Sequence, residues 1–439
     1  MKPARPQRPN RASRRPRLAP EQAGLPARRA ALRLLDAVLR RGLALEAALD
    51  QAAAGLDKRE DRALAHAIAA EALRRLADLD AAIDSATRQR LPDDAKARFV
   101  LRIALVQALA MNIAPHAAIA TALPLVDGGP RRLVHGVFGT LMRGEARLPE
   151  APQLPPAVAD RWRGQWGDHV VDAAQRAISA PPPIDLTLAR AEETEDWEKR
   201  LHGESLLPGH VRLPAGTPVP ATEGFAEGAW WVQDIAASLP ARLGGGGSGH
   251  ALDLCAAPGG KTLQLAASGW DVTAVDISES RLARLRENLE RTGLGAQIVA
   301  ADLLEWEPDA AADLVLLDAP CSATGIFRRH PDVLHRVRPA IIAEAAQLQA
   351  KLFDRAARWV RPGGLLVYAT CSMEREEGED QLAGFLDRHG DFAVDPVLPD
   401  ELPDGVYAAP GGWLRTLPDM LADEGGLDGF FMVRLMRTA

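Results

Sequence analysis

The sequence predicts an α/β protein with a Rossmann-like, mostly parallel sheet, preceded by an all-helical domain. After about residue 250, apolar runs of strand length alternate with amphipathic stretches, as in a doubly wound parallel sheet. Before residue 146, Leu, Val and Ile recur at three- and four-residue spacing with few breakers, as in packed helices. The 439 residues are enough for two or three such domains.

Breaks in these patterns divide the chain into four segments. We predict a basic disordered tail at 1–22, a helical domain of five to seven helices at 23–146, a linker with a small α/β adaptor region at 147–230, and the sheet domain at 231–439. The tail has two equally good interpretations, a solubilising extension or an arm that contacts nucleic-acid phosphates. Its basic residues are Lys2, Arg5, Arg8, Arg11, Arg14, Arg15 and Arg17, with no acid among the first 20 residues.

Six apolar runs are the predicted strands of the sheet. They cover residues 251–257, 271–277, 296–302, 313–319, 364–372 and 430–436. Helices are predicted between them at 261–268, 278–293 and about 339–360, and a single helix at 158–179 in the adaptor region. In such sheets, ligands bind at the carboxyl ends of the strands.

The composition excludes several classes of protein. Three widely spaced cysteines without a CxxC pair argue against a disulfide scaffold or a zinc site, and they favour a reducing cytoplasm. The ten histidines form no ligand-like cluster, so we expect no metal. We also expect no membrane span and no signal peptide, because the required apolar runs are missing.

A glycine turn follows the first predicted strand of the sheet. Residues 253–262 read DLCAAPGGKT, so a buried strand runs through Pro258, Gly259 and Gly260 directly into a helix. Glycines admit a ligand close to the backbone, and a helix N-terminus offers free N–H groups. The turn suits a nucleotide-like ligand, but it is neither GxGxxG nor a phosphate loop. The alternative is a tight turn without a ligand.

Acidic residues mark the ends of the next three strands: Asp276, Asp302 and Asp318. Each alone is a common loop acid. Together with the glycine turn they predict an adenosine-containing ligand, with Asp276 accepting the ribose hydroxyls and Asp302 facing the adenine edge.

Two cysteines lie on the same predicted edge. Cys321 is in DAPCSATG (318–325) after the fourth strand, and Cys371 is in ATCS (369–372) after the fifth. A thiolate is a strong nucleophile once its pKa is lowered. The residues alone do not tell which thiol attacks. Cys255, inside the glycine-turn strand, is interpreted as a buried structural cysteine.

These motifs resemble a known family. DLCAAPGGKT, DAPCSATG and YATCS, with RRHPD (328–332), DGFF (428–431) and VQD (232–234), resemble the RNA cytosine-carbon-5 methyltransferases of the Nop2/Sun family. The helical region 27–143 is similar to the NusB-like RNA-binding domain. This combination is typical of the bacterial Sun/Fmu-type branch, which acts on 16S ribosomal RNA.

The resemblance implies a site and a mechanism. Cys371 would be the covalent nucleophile, Cys321 would assist product release, and Asp318 would hydrogen-bond the cytosine near nitrogen 3. The methyl donor would be S-adenosylmethionine. Its implied contacts are Cys255, Ala256, Ala257, Pro258, Gly259, Gly260, Lys261, Asp276, Asp302 and Asp318.

The implied partner is naked or early-assembly 16S ribosomal RNA, bound by a monomer. Arg328, Arg329 and His330 are candidates for its phosphates, and a solvated loop is an equally good interpretation. Three alternatives remain: the same chemistry on transfer RNA or large-subunit RNA, a catalytically inert RNA-binding protein, and a nicotinamide dehydrogenase. The last lacks the GxGxxG turn and leaves two cysteines unexplained.

Overall fold

The structure is a computed structural model that describes residues 23–438. The predicted tail at 1–22 lies outside the described residues. The predicted fold class is confirmed: helices come first, and a mixed α/β sheet follows. No helix among the described residues has the length and apolar character needed to cross a membrane.

A helical bundle forms the first part of the described chain. Within residues 23–146 it has seven α-helices: α1 (Leu25–Leu39), α2 (Leu45–Ala52), α3 (Arg59–Arg74), α4 (Leu76–Ser85), α5 (Lys96–Leu109), α6 (Pro115–Ala122) and α7 (Gly128–Arg143). Helix α5 is buried on all sides, as expected for a central helix. Its buried Arg102 donates two 2.8 Å hydrogen bonds to Asp80, so the charge is paired inside the bundle.

The adaptor region contains a small antiparallel sheet and three helices. Its strands β1 (Ile184–Leu188), β2 (His210–Leu213) and β3 (Trp230–Val232) have the order β2-β1-β3. Its helices are α8 (Pro156–Trp166), α9 (Asp168–Ala177) and α10 (Thr194–Leu201). The single helix predicted at 158–179 is wrong. It breaks at Gly167, whose φ of 90° is open to glycine and strained for other residues.

The main sheet has eight strands in the described residues. They are β4 (His250–Leu254), β5 (Asp271–Asp276), β6 (Gln297–Ala300), β7 (Ala312–Asp318), β8 (Val360–Thr370), β9 (Phe392–Val394), β10 (Leu414–Arg415) and β11 (Phe431–Arg437). The order is β10-β11-β8-β7-β4-β5-β6, with β9 also paired to β11. All six predicted strands are present.

Helices cover the main sheet: α11 (Ile235–Leu243), α12 (Gly260–Ala267), α13 (Glu279–Thr292), α15 (Pro339–Arg358) and α16 (Glu379–Arg388). The short helix α14 (Val333–Arg336) contacts α1 of the bundle and packs with α8 and α9. Strands β4 to β8 run parallel, and β11 is antiparallel to β8. The chain passes from β4 to β5 on one side and returns to β7 on the other. A crevice therefore opens at the carboxyl end of β4, where α/β sheets bind ligands.

Candidate active site

One cavity of about 450 Å³ lies over the carboxyl ends of the parallel strands. Five of the predicted ligand contacts line it, together with both predicted catalytic cysteines. These residues are Cys255, Ala257, Asp276, Asp302, Asp318, Cys321 and Cys371. Sequence reasoning missed further lining residues, among them Ile277, Arg281, Leu303, Leu348 and Leu352.

The glycine turn joins β4 to α12 through an unusual backbone. Cys255 has a φ of 61° and Gly259 a φ of 110°. A Cβ on Gly259 would lie 2.2 Å from Leu285 Cδ1, so only glycine fits between the turn and α13. Cys255 is half-buried and lines the cavity, and burial raises the pKa of its thiol.

The other predicted loop contacts, except Gly259, which lines neither space, face a second cavity of about 360 Å³. Ala256, Pro258, Gly260 and Lys261 line this second cavity, which shares Ala257 and Asp318 with the first. The loop therefore forms part of the wall between two adjoining spaces.

The two acids after β5 and β6 are held differently. Asp276 is buried, and its carboxylate accepts hydrogen bonds from Arg281 (2.9 and 3.0 Å), Ala257 N (3.2 Å) and Ser278 N (2.8 Å). Asp302 is exposed, and its carboxylate accepts a hydrogen bond from Leu304 N at 2.9 Å. Both carboxylates reach the same cavity from adjacent strand ends.

Asp318, at the end of β7, pairs with Lys261. The Lys261 Nζ donates to the Asp318 carboxylate at 2.8 Å and lies 5.5 Å from the ring centroid of Phe430. Burial is the largest influence on Lys261 and lowers its pKa, but the charge and hydrogen bond of Asp318, together with the charge of Asp253, hold that pKa above its usual value. A fixed ion pair therefore lies between the two cavities.

The two cysteines meet at the cavity edge. Their Sγ atoms are 3.3 Å apart, and both are free thiols. The contact with Cys371, followed by burial, raises the pKa of the Cys321 thiol well above its usual range. The Cys321 thiol therefore keeps its proton at neutral pH.

Hydrogen bonds join the loops that carry the two cysteines. The Gly325 N–H donates to the Cys371 carbonyl, and the Met373 N–H donates to Thr324 Oγ1, both at 3.0 Å. A Cβ on Gly325 would lie 1.8 Å from the carbonyl oxygen of Gly429. Only glycine permits this close approach.

A helix of the adaptor region also holds the Cys371 loop. From α8, Arg161 pairs with the buried Glu374 at 2.7 Å, and Trp162 Nε1 donates to the same carboxylate at 3.1 Å. Trp166 Nε1 donates to the Met373 carbonyl at 2.9 Å. The Cys371 loop is therefore fixed by residues some 200 positions earlier in the chain.

The structure contradicts both interpretations of the RRHPD segment (328–332), as a phosphate-binding loop and as a solvated loop. Arg328 is 1% exposed and pairs with Asp234 and Asp428, each at 3.1 Å. Arg329 pairs with the same two acids, at 2.6 and 3.4 Å. His330 is half-buried, and burial lowers its pKa. The two guanidiniums join the start of α11 to the segment before β11, and neither is free for phosphate.

A parallel sheet with carboxylates and thiols over its strand ends defines the class: a Rossmann-like methyltransferase fold with an added helical bundle. A family model described as "16S rRNA methyltransferase RsmB/F" matches residues 246–436, and the NusB family model matches residues 25–135. A "Ribosomal RNA small subunit methyltransferase B" of Salmonella newport is 35% identical over 408 residues, covering 86% of this chain and 91% of that protein. The chain therefore belongs to the RsmB/F family, and it is a methyltransferase.

Solved structures share the fold. The crystal structure of PH0851 has a TM-score of 0.71 at 23% identity and covers 94% of this chain and 98% of its own. A methyltransferase homologue from Pyrococcus horikoshii has a TM-score of 0.54 at 26% identity and covers 68% of this chain and 98% of its own.

Within residues 23–438, no group of three or more metal-ligating side chains is present.

Proposed function

We propose that this protein transfers a methyl group from S-adenosylmethionine to carbon 5 of a cytosine in 16S ribosomal RNA, through a covalent bond between Cys371 and the base. The observation that carries the proposal is the pair of free thiols, 3.3 Å apart, at the edge of a cavity lined by carboxylates. A nucleophile and a second thiol group within reach of one reacting base suit covalent catalysis.

The residues of the first cavity fit S-adenosylmethionine. Three carboxylates, those of Asp276, Asp302 and Asp318, face the cavity, and they suit ribose hydroxyls and a positively charged sulfonium. Ile277 is 67% exposed at the same cavity and offers an apolar surface to a purine. The bound cofactor supplies an electrophilic methyl group.

Cys371 acts on the base. Carbon 5 of cytosine is a poor nucleophile until a thiolate adds to carbon 6, which turns the ring into an enamine. The carbon–sulfur bond forms on Cys371, carbon 5 takes the methyl group, a base removes the carbon-5 proton, and the thiolate leaves. A cytosine in structured RNA must be unstacked first, at a cost of roughly a few kcal/mol.

Cys321 assists release of the product. It touches Cys371, and its raised pKa keeps it as a neutral thiol. A neutral thiol beside the adduct can exchange a proton there and does not compete for carbon 6. The assignment of Cys371, and not Cys321, as the nucleophile rests on the resemblance of its segment YATCS (368–372) to the motif of the Nop2/Sun family.

Asp318 orients the base. Its carboxylate is held by Lys261 at the wall shared by the two cavities. A carboxylate fixed in this way can hydrogen-bond the polar edge of the cytosine near nitrogen 3 as charge develops there.

The 16S substrate is proposed from the relatives. The Salmonella newport protein is named a small-subunit ribosomal RNA methyltransferase, and the match includes the NusB-like bundle. We further propose that residues 23–146, 147–230 and 231–439 are the bundle, adaptor and catalytic domains, and that the protein acts as a monomer on naked or early-assembly RNA in the cytoplasm.

The test is transfer of tritiated methyl from S-adenosylmethionine to naked 16S RNA, with transfer RNA and large-subunit RNA in parallel. We expect wild type to label cytosine in 16S RNA and Cys371→Ala to lose at least about 10⁴-fold in rate. Labelling of only transfer RNA or large-subunit RNA would overturn the substrate. Full activity of Cys371→Ala would overturn the mechanism.

A further inference from the structure

One acid beside the cysteine loops has no part in the chemistry described so far. Glu377 lies in the charged run 374–380, EREEGED, six residues after Cys371. Unlike its neighbours Arg375 and Glu376, which are exposed, it is completely buried. A buried carboxylate is costly unless several donors satisfy it, so its partners show what it holds together.

The donors to Glu377 come from both cysteine loops. Ser322, the residue after Cys321, donates its N–H to Oε1 at 2.8 Å and its hydroxyl to Oε2. Ser372, the residue after Cys371, also donates its hydroxyl to Oε2. The two serine hydroxyls are 3.2 Å apart. One carboxylate therefore joins the residues that directly follow the two thiols.

Further contacts fix Glu377 itself. Gln349, on α15, donates to Oε1 at 3.0 Å and to the Pro320 carbonyl at 2.9 Å. The Glu377 carbonyl accepts from Tyr368 Oη at 2.9 Å and Thr370 Oγ1 at 3.1 Å, both on β8. The main chain is anchored to β8 and the side chain to α15 and both loops, so the carboxylate is a rigid point between the loops.

We propose that Glu377 is a positioning residue that sets the distance and orientation between Cys321 and Cys371 by accepting hydrogen bonds from both loops at once. The proposal rests on the covalent mechanism given above. It predicts that a shift of Glu377 disturbs the release of the methylated base more than the binding of the cofactor, because none of its contacts reaches Asp276 or Asp302.

The negative charge of Glu377 also affects Cys321. After the contact with Cys371 and burial, the Glu377 carboxylate is among the charges that raise the pKa of the Cys321 thiol. Burial in turn raises the pKa of Glu377, against the hydrogen bonds from Ser322 and Ser372. The geometry and the charge together keep Cys321 in place as a thiol.

The test compares Glu377→Asp with Glu377→Gln. The aspartate keeps the charge but is one methylene shorter, so it cannot accept from both loops. The glutamine keeps the length: its amide oxygen can still accept from the Ser322 N–H, and its amide N–H can donate to the Ser372 hydroxyl, so both loops stay joined. We expect Glu377→Asp to lose about 100-fold in kcat, as for a misplacement of about 1 Å, with the KM for S-adenosylmethionine unchanged within about twofold. We expect Glu377→Gln to recover much of that loss.

The decisive measurement is the fraction of protein that is covalently bound to 16S RNA at steady state, on a denaturing gel. In Glu377→Asp this fraction should rise towards that of Cys321→Ala, because release depends on the position of Cys321. Glu376→Gln, an exposed neighbour, is the matched control and should behave as wild type. If Glu377→Asp does not fold, Ser322→Ala replaces it, with the same expected rise.

Two outcomes would overturn the proposal. One is a Glu377→Asp protein that matches Glu376→Gln in both kcat and adduct fraction. The other is a kcat that falls only in proportion to the folded fraction, with an unchanged adduct fraction per folded molecule. A failure of the covalent mechanism can be distinguished from a failure of this proposal, because Cys321→Ala would then form no adduct either.

Discussion

Two clusters of charged residues lie near the carboxyl end of the main sheet, and they differ in how their charges are satisfied. The open rim, Asp276, Asp302 and Asp318, faces the first cavity, where these three acids outnumber the cation in the lining, Arg281. The closed network, Asp234, Arg328, Arg329 and Asp428, pairs two acids with two guanidiniums in the interior. Unbalanced charge at a cavity suits a ligand, whereas balanced buried charge holds segments of chain together.

Removing an acid from the closed network should have the largest effect on stability. In Asp428→Ala, two guanidiniums share only Asp234, so we expect the free energy of unfolding to fall by about 3–5 kcal/mol. Urea unfolding measures this. The exposed Asp423→Ala is the control, and its change should stay within about 0.5 kcal/mol. A loss below about 1 kcal/mol in Asp428→Ala would contradict the structural role of the network.

Asp253 differs from both clusters, because its carboxylate is shielded from solvent and forms no ion pair among the described residues. It is completely buried in β4, it accepts from Thr262 Oγ1 at 2.5 Å, and its Oδ1 has no hydrogen-bond partner among the described residues. Burial raises its pKa from 3.8 to about 7. The folded protein therefore holds a proton that the unfolded chain releases, and the stability that this proton contributes is lost as pH rises from about 4 to about 7.

The corresponding change in the free energy of unfolding is at most about 4 kcal/mol over that range. Asp253→Asn, a neutral side chain of the same shape, should remove this contribution. We expect it to raise the melting temperature at pH 8 and to leave it nearly unchanged at pH 4.5. A variant that shifts both temperatures equally would show that Asp253 does not titrate between these values.

We expect the smallest effect on stability when an acid of the open rim is removed. Asp302 is exposed and accepts one backbone hydrogen bond, so Asp302→Ala should change stability by less than about 1 kcal/mol. Loss of one charge-assisted hydrogen bond to the cofactor should weaken S-adenosylmethionine binding about tenfold, which calorimetry measures. Asp309→Ala, an exposed acid outside the cavity lining, is the control. Equal affinities for the two variants would remove Asp302 from the site.

The sheet was predictable because its strands are apolar along their whole length, and the rim followed from acids and cysteines placed at strand ends. Pairing across long distances in sequence was not predictable. Arg328 and Arg329 look like phosphate ligands until Asp234 and Asp428, about 95 and 100 positions away, are brought to them.

Glu377 and α8 show the same limit at the site itself. Glu377 lies in a run of charges that has the pattern of a solvated turn, and its burial depends on Ser322 and Gln349 from other elements. The hydrogen bonds from α8 to the Cys371 loop join residues more than 200 positions apart. Local periodicity and motif spacing carry no information on such contacts.

The most direct test of the covalent mechanism is to identify the peptide that carries the base. Cys321→Ala is incubated with S-adenosylmethionine and 16S RNA, denatured, digested with nuclease and protease, and analysed by mass spectrometry. A methylated cytidine nucleotide on the peptide that contains Cys371 is the predicted result. No adduct on that peptide, with an adduct on the Cys321 peptide of Cys371→Ala in its place, would contradict the assignment of the nucleophile.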